Sequence, residues 1–222
     1  MNMLQYPFDS ALILQKKRSL KRQLLQKEGL VPKKVAILSG STIGEVKNIL
    51  ELFLLDSGIQ PTFYEGGYAL FYENLVFDDG SLAAFAPDVI YIHTSLRNLV
   101  NLPTQADSPA QCAEKLAAET ARWKQVWQAA ARFGCPVIQN NFDLPTYRVM
   151  GNLDAADCHG RVHFVREMNR MLAEYAASTP NFYINDLAYL QAMRGMDAFS
   201  DPTAWYAYKY ACATDCIPDL CH

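Results

Sequence analysis

The chain has 222 residues, half of them hydrophobic and 19% charged, a size and composition that fit one large soluble globular domain or two small ones. The net charge of −3 argues against general nucleic-acid binding. No apolar run approaches the roughly 18–20 residues that span a bilayer, and no apolar signal core follows the first charged residues, so no membrane association is expected and the protein is read as cytoplasmic.

Asp9 or Ser10 can cap a first helix that runs to about Glu28 and stops at Gly29. It carries Lys16, Lys17, Arg18, Lys21, Arg22 and Lys27 on a frame packed through Leu12, Leu20 and Leu24. Such a charge run either faces water or offers a docking surface to an acidic partner. Residues 1–30 are read as this basic helix, packed on a domain spanning 31–222.

Pro32 separates the helix from Val35-Ala36-Ile37-Leu38, which has the length and branching of a buried strand. Ser39-Gly40-Ser41 then turns the chain. Thr42 and Glu45 have capping-box spacing, so the second helix is expected to start at Thr42. Its apolar arc from Val46 to Leu55 is too wide for a one-sided surface helix. Ile59 to Tyr64 reads as a second strand, ending at Gly66-Gly67. That pair is either a plain turn or a place where backbone approaches a ligand closely. Phe71 to Phe77 makes an aromatic surface element or short helix.

Val89-Ile90-Tyr91-Ile92 is the third strand, running straight into His93-Thr94-Ser95-Leu96-Arg97-Asn98. Five polar side chains directly after a buried strand exceed what a turn requires. Pro109 to Phe133 is a long helix with Trp123 and Trp127 in the core. Pro136 to Gln139 is a fourth strand ending at Asn140-Asn141. A helix follows over about Gly160 to Ala177, then a fifth strand, Phe182-Tyr183-Ile184, ending at Asn185-Asp186. A last helical region is broken at Ser200-Asp201-Pro202. Alternating strands and helices imply an α/β fold: a three-layer α/β/α domain on a flavodoxin-like parallel sheet of about five strands.

In a parallel sheet all carboxyl ends share one edge, where ligands bind. Ser41 sits there as either a helix cap or a nucleophile. Acyl transfer needs a nucleophilic oxygen, a base and oxyanion donors. The candidate donors are the Ser41 N–H, a Gly66 or Gly67 N–H and the Asn98 amide. His93 is either a hydrogen-bonded structural residue or a base. There is no G-x-G-x-x-G, no phosphate loop with its Lys and no G-x-S-x-G elbow, so dinucleotide and P-loop chemistry are disfavoured and no cofactor is expected. Cys212, Cys216, Cys221 and His222 fit no zinc spacing, and with Cys112, Cys135 and Cys158 they are read as reduced thiols, without a metal.

The strand–Gly–Ser–helix start, the Gly turn after strand two and the Asn after strand three resemble the SGNH-hydrolase fold. More closely, Lys21 to His222 is similar to the N-terminal domain of FkbH-like proteins, which join an SGNH-like domain to a phosphatase-type domain of the haloacid dehalogenase superfamily. The stretches that carry it include Ile37 to Thr42, Glu51 to Leu55, Phe63-Tyr64-Glu65, Pro87 to Ser95, Arg97-Asn98, Gly151 to Ala155, and Asp201-Pro202 with Trp205-Tyr206. The resemblance implies a nucleophile at Ser41, an oxyanion glycine at Gly66 or Gly67 and an oxyanion asparagine at Asn98. Its last block has Asp and His three residues apart; here Asp201 is followed at that spacing by Ala204. It further implies loading of a glyceryl group from a phosphorylated three-carbon donor onto an acyl carrier protein. That chemistry belongs to a phosphatase-type domain with an Asp-x-Asp motif, which this chain lacks and into which it is expected to continue.

The leading expectation is a pocket for an acyl or phosphorylated small molecule, with a weak Ser-based hydrolase or transferase site. Ser41, Asn98, His93 and Asp201 are its candidate catalytic residues. Gly40, Thr42, Gly66, Gly67, Thr94, Ser95, Arg97, Asn140 and Asn141 are its candidate binding residues. The alternatives are a docking module for an acyl carrier protein or for the phosphatase-type domain, and a serine esterase using His93 as base.

Overall fold

The computed structural model describes residues 3–77 and 79–222; the first two residues of the expected 1–30 segment lie outside them. Five strands, β1 (Val31–Ser39), β2 (Ile59–Glu65), β3 (Val89–His93), β4 (Val137–Asn140) and β5 (Phe182–Asn185), form one sheet in the order β2-β1-β3-β4-β5. Every neighbouring pair is parallel, and the order is the flavodoxin-like one.

Strand side chains alternate between two apolar layers. Val35, Ile37 and Tyr91 face α1 (Ser10–Leu24) and α2 (Gly44–Asp56), joined there by α7 (Leu187–Arg194), α8 (Met196–Phe199) and α9 (Ile217–Cys221). Ala36, Leu38, Ile90 and Ile92 face α3 (Phe71–Val76), α4 (Ser81–Phe85), α5 (Pro109–Ala131) and α6 (Arg161–Ser178), with Trp123 and Trp127 fully buried. Central strands covered on both faces read as continuous apolar runs, which is why they were visible in the sequence. No helix among the described residues is long and apolar enough to cross a membrane.

Two local expectations are corrected. The first helix ends at Leu24, not near Glu28: Gln26 and Lys27 turn back on the carbonyls of Gln23 and Leu24, and the Lys27 ammonium bonds the α2 end at Asp56. The second helix starts at Gly44 without a side-chain cap, because the Thr42 N–H donates to the Lys209 carbonyl at 2.9 Å instead of to a helical partner. Of the two readings of the Phe71 segment, the short helix is the one found, with Phe71 and Leu75 buried.

Half of the expected basic run is answered within the fold. Lys17 pairs with Glu45, Lys21 with Glu51 at 2.6 Å, and Lys27 with Asp56 at 2.6 Å. All three acids lie on α2.

Candidate functional site

The turn that ends β1 is closed by Ser39, not by Ser41. The Ser39 hydroxyl donates to the Ser41 carbonyl at 2.6 Å and accepts from the Ser41 N–H at 2.9 Å. The Gly40 N–H extends the β1–β3 ladder to the His93 carbonyl at 3.0 Å. Asn98 braces the same turn: its amide donates to the Gly40 carbonyl at 3.1 Å, and its oxygen accepts from the Ser95 N–H at 3.0 Å. A Cβ on Gly40 would overlap that amide, so the contact requires glycine. The structure therefore joins Gly40, Ser41, Ser95 and Asn98. The Ser41 hydroxyl itself is buried and has no hydrogen-bond partner among the described residues.

Two of the expected oxyanion donors are already engaged. The Ser41 N–H is bonded to Ser39, and the Gly66 N–H donates to the Ile37 carbonyl at 3.0 Å. A Cβ on Gly66 would meet the Asn74 side-chain oxygen at 2.6 Å, and one on Gly67 would meet the Leu70 side chain at 2.7 Å, so both glycines serve packing. The segment after Asp201 lies over the serine turn, tied by the Thr42–Lys209 bond. Ala204, in the place of the expected histidine, is 4% exposed. The Asp201 carboxylate accepts from the Thr203 N–H at 2.8 Å, a local cap.

His93 is fully buried at the end of β3. Its Nδ1 lies 3.0 Å from the Asn140 amide nitrogen and 3.1 Å from the Tyr91 hydroxyl, while Tyr91 donates to the Asn140 oxygen at 2.9 Å. The Asn140 amide can only donate, which assigns Nδ1 as the acceptor and leaves the ring proton on Nε2. A general base for Ser41 needs the reverse, an open nitrogen facing the hydroxyl. No hydrogen bond joins His93 to Ser41 among the described residues, and burial pulls the imidazole down to about 4. Thr94 is buried beside it with its hydroxyl unpartnered. Asn141 instead braces α7, donating to Asp186 at 2.7 Å and accepting from the Ala188 N–H at 2.9 Å.

The cavity at this edge is not lined by Ser41. It holds about 140 Å³ and is lined among others by Arg97, Asp143, Tyr147, Arg161, Trp205 and Tyr210, with Asp201 at its wall. The Arg97 guanidinium stacks on the Trp205 ring at 4.2 Å. Asp143 is 4% exposed and accepts from the Leu96 N–H at 2.9 Å; burial pushes its carboxyl up to about 6. Neither Arg97 nor Arg161 forms an ion pair among the described residues. Asp143, Arg161 and Tyr147 were not foreseen. The one signal was Asp143 falling three residues past β4, on the edge where ligands gather.

The FkbH N-terminal domain model matches residues 34–222. Among solved structures, the N-terminal part of protein BF1531 from Bacteroides fragilis, containing a phosphatase domain complexed with Mg, aligns with a TM-score of 0.77 at 18% identity. That match covers 92% of this chain and 54% of the solved N-terminal part of BF1531, so the chain spans about half of that structure. TesA, an SGNH hydrolase, aligns with a TM-score of 0.54 at 13% identity, over 85% of this chain and 94% of its own. No curated protein sequence is significantly similar. At these identities the two structures establish a shared SGNH-like fold.

Proposed function

We propose, for a chain that belongs to the FkbH N-terminal domain family, that the carboxyl edge of its sheet binds a small anionic group, phosphorylated or carboxylate-bearing, and does not hydrolyse esters through Ser41. The observation that carries this reading is the pair Arg97 and Arg161 at one cavity, without ion-pair partners among the described residues. A guanidinium presents parallel N–H donors that match phosphate or carboxylate in a bidentate way. Stacking on Trp205 holds the Arg97 plane while leaving its edge N–H groups for an anion. Ser41 has no hydrogen-bonded base among the described residues, and general-base assistance is worth ~10²–10⁴-fold. The cavity admits a headgroup and not a large acyl chain, since ligand pockets usually run to roughly 300 Å³ or more.

Calorimetric titration with a phosphorylated three-carbon acid tests this. Wild type and Ser41→Ala bind alike, while Arg97→Ala and Arg161→Ala each weaken binding about 10–100-fold, the worth of a charge-assisted hydrogen bond. Equal binding by the double arginine variant removes the reading. So does turnover of short activated esters that disappears in Ser41→Ala.

A docking role has its own support. With Lys17, Lys21 and Lys27 paired to α2, Lys16, Arg18 and Arg22 stay exposed on α1 and can meet an acidic acyl carrier protein. Reversing these three charges should abolish carrier-protein capture, and capture by wild type should weaken with salt. Salt-insensitive capture would exclude this face.

A further inference from the structure

Away from the sheet edge, three metal-binding side chains come together. Cys112 lies in the first turns of α5, while Cys158 and His159 lie in the turn before α6. One ligand atom from each lies within 4.8 Å of the others, the only such group among the described residues. Cys112 is 3% exposed and Cys158 is half-buried, so a cation there would be shielded on one side and reachable on the other.

We propose that Cys112, Cys158 and His159 bind a thiophilic divalent cation, Zn²⁺ by preference, with water in the fourth position. The Cys158 sulfur and the His159 Nδ1 are 3.5 Å apart. A tetrahedral zinc with Zn–S of about 2.3 Å and Zn–N of about 2.0–2.1 Å separates two such atoms by roughly 3.5 Å. The second nitrogen is oriented as ligand histidines are: Nε2–H donates to the Asp107 carbonyl at 2.8 Å, which directs Nδ1 toward the sulfurs. Nδ1 now bonds the Asp157 carboxylate at 2.6 Å, and the cation would take the place of that shared proton. Binding releases the two thiol protons and the Nδ1 proton, and two thiolates with a neutral imidazole leave the site uncharged. Soft sulfur ligands select zinc over magnesium or calcium.

The site would clip α5 to the end of the 141–160 segment, whose Asp143 and Tyr147 line the edge cavity. It does not depend on what that cavity binds.

The test uses the full chain, stripped with chelator under reductant and titrated with Co²⁺. One equivalent should give intense visible d–d bands with a sulfur-to-cobalt charge-transfer band, bleached by Zn²⁺. Zn²⁺ should protect two of the six thiols from alkylation and raise Tm. Cys112→Ser and Cys158→Ser should each lose the charge-transfer signature, and His159→Ala should lower affinity about 10–100-fold. Should buried Cys112→Ser fail to fold, Cys158→Ser carries the test. The proposal is overturned by an absent charge-transfer band, by a band that survives in the double cysteine variant, or by a Cys112–Cys158 disulfide whose re-reduced thiols still give no cobalt spectrum.

Discussion

Burial of His93 and of Asp143 acts on stability in opposite directions as the pH falls. His93 is pulled from 6.5 to about 4, so between those values the unfolded chain takes up a proton that the folded chain refuses. Stability from this group is complete above pH 6.5 and is lost toward pH 4, by roughly 3 kcal/mol at 1.36 kcal/mol per unit. Asp143 is pushed from 3.8 to about 6, so the folded chain takes up the proton first, and its contribution rises by a similar roughly 3 kcal/mol between pH 6 and 4. The two nearly cancel. Asp143→Asn should therefore lose thermal stability steeply from pH 6.5 to 4, whereas His93→Asn should gain over that range relative to wild type; superimposable pH profiles would contradict both assignments. The serine turn gives a second contrast. Ser39→Ala strands the Ser41 N–H and carbonyl and should cost about 1–3 kcal/mol. Ser41→Ala removes a buried hydroxyl with no partner among the described residues and should leave Tm unchanged or higher. If melting shows Ser41→Ala to be the worse of the two, that hydroxyl has a partner in solution.

Among the elements, α6 shows how a helix start is held when its N-cap has no side chain. Its N-cap, Gly160, has no side chain to offer. Asp154, fully buried, supplies the cap from six residues upstream, accepting from Val162 N–H at 2.7 Å and from Met150 N–H at 2.8 Å. A Cβ on Gly160 would run into the Asp154 backbone carbonyl, which cannot rotate away. Asp154→Ala strands two backbone donors at about 1–3 kcal/mol each, and Gly160→Ala should be at least as costly. Gly40→Ala meets only a side-chain amide and should cost less. Equilibrium denaturation gives the order, and Gly160→Ala proving the milder glycine change would contradict it. The same physics sets what could be read in advance. Val35–Leu38 and Val89–Ile92 announced themselves because both faces of the sheet are covered. The α2 start was misplaced because the partner of the Thr42 N–H, Lys209, is remote in sequence. Ser41, Asn98 and Gly40 were rightly grouped on one edge, but Ser39 was passed over because both serines suit a turn. The cavity stayed invisible because Asp143, Tyr147 and Arg161 come from an irregular segment or its border, where no period marks a side chain's direction.

At the scale of the molecule, the family match begins at residue 34, yet the fold does not. Ile13 is fully buried, Leu20 is 9% and Leu24 is 7% exposed, and Leu4 ahead of them is 4% exposed; all four belong to the cluster built on Ile49, Leu52 and Phe53 of α2. Burying one such side chain is worth about 1.5–3 kcal/mol, so the four contribute roughly 6–12 kcal/mol. The net stability of a domain is about 5–15 kcal/mol, so their loss is comparable to the whole. The three ion pairs from Lys17, Lys21 and Lys27 to α2 add little, since exposed pairs give about 0.2–1 kcal/mol each. A chain starting at residue 31 should therefore be unfolded or aggregated, exposing the α2 face, although it retains all of the family-matched region. Within the full chain, Ile13→Ala should cost about 2–5 kcal/mol, and removing the three lysine charges should shift the melt by no more than a few degrees. Should the shortened chain melt cooperatively within a few degrees of the full one, α1 is an accessory on the surface and the fold closes without it. Should Ile13→Ala reproduce much of the loss, the first helix is part of the domain that carries the site.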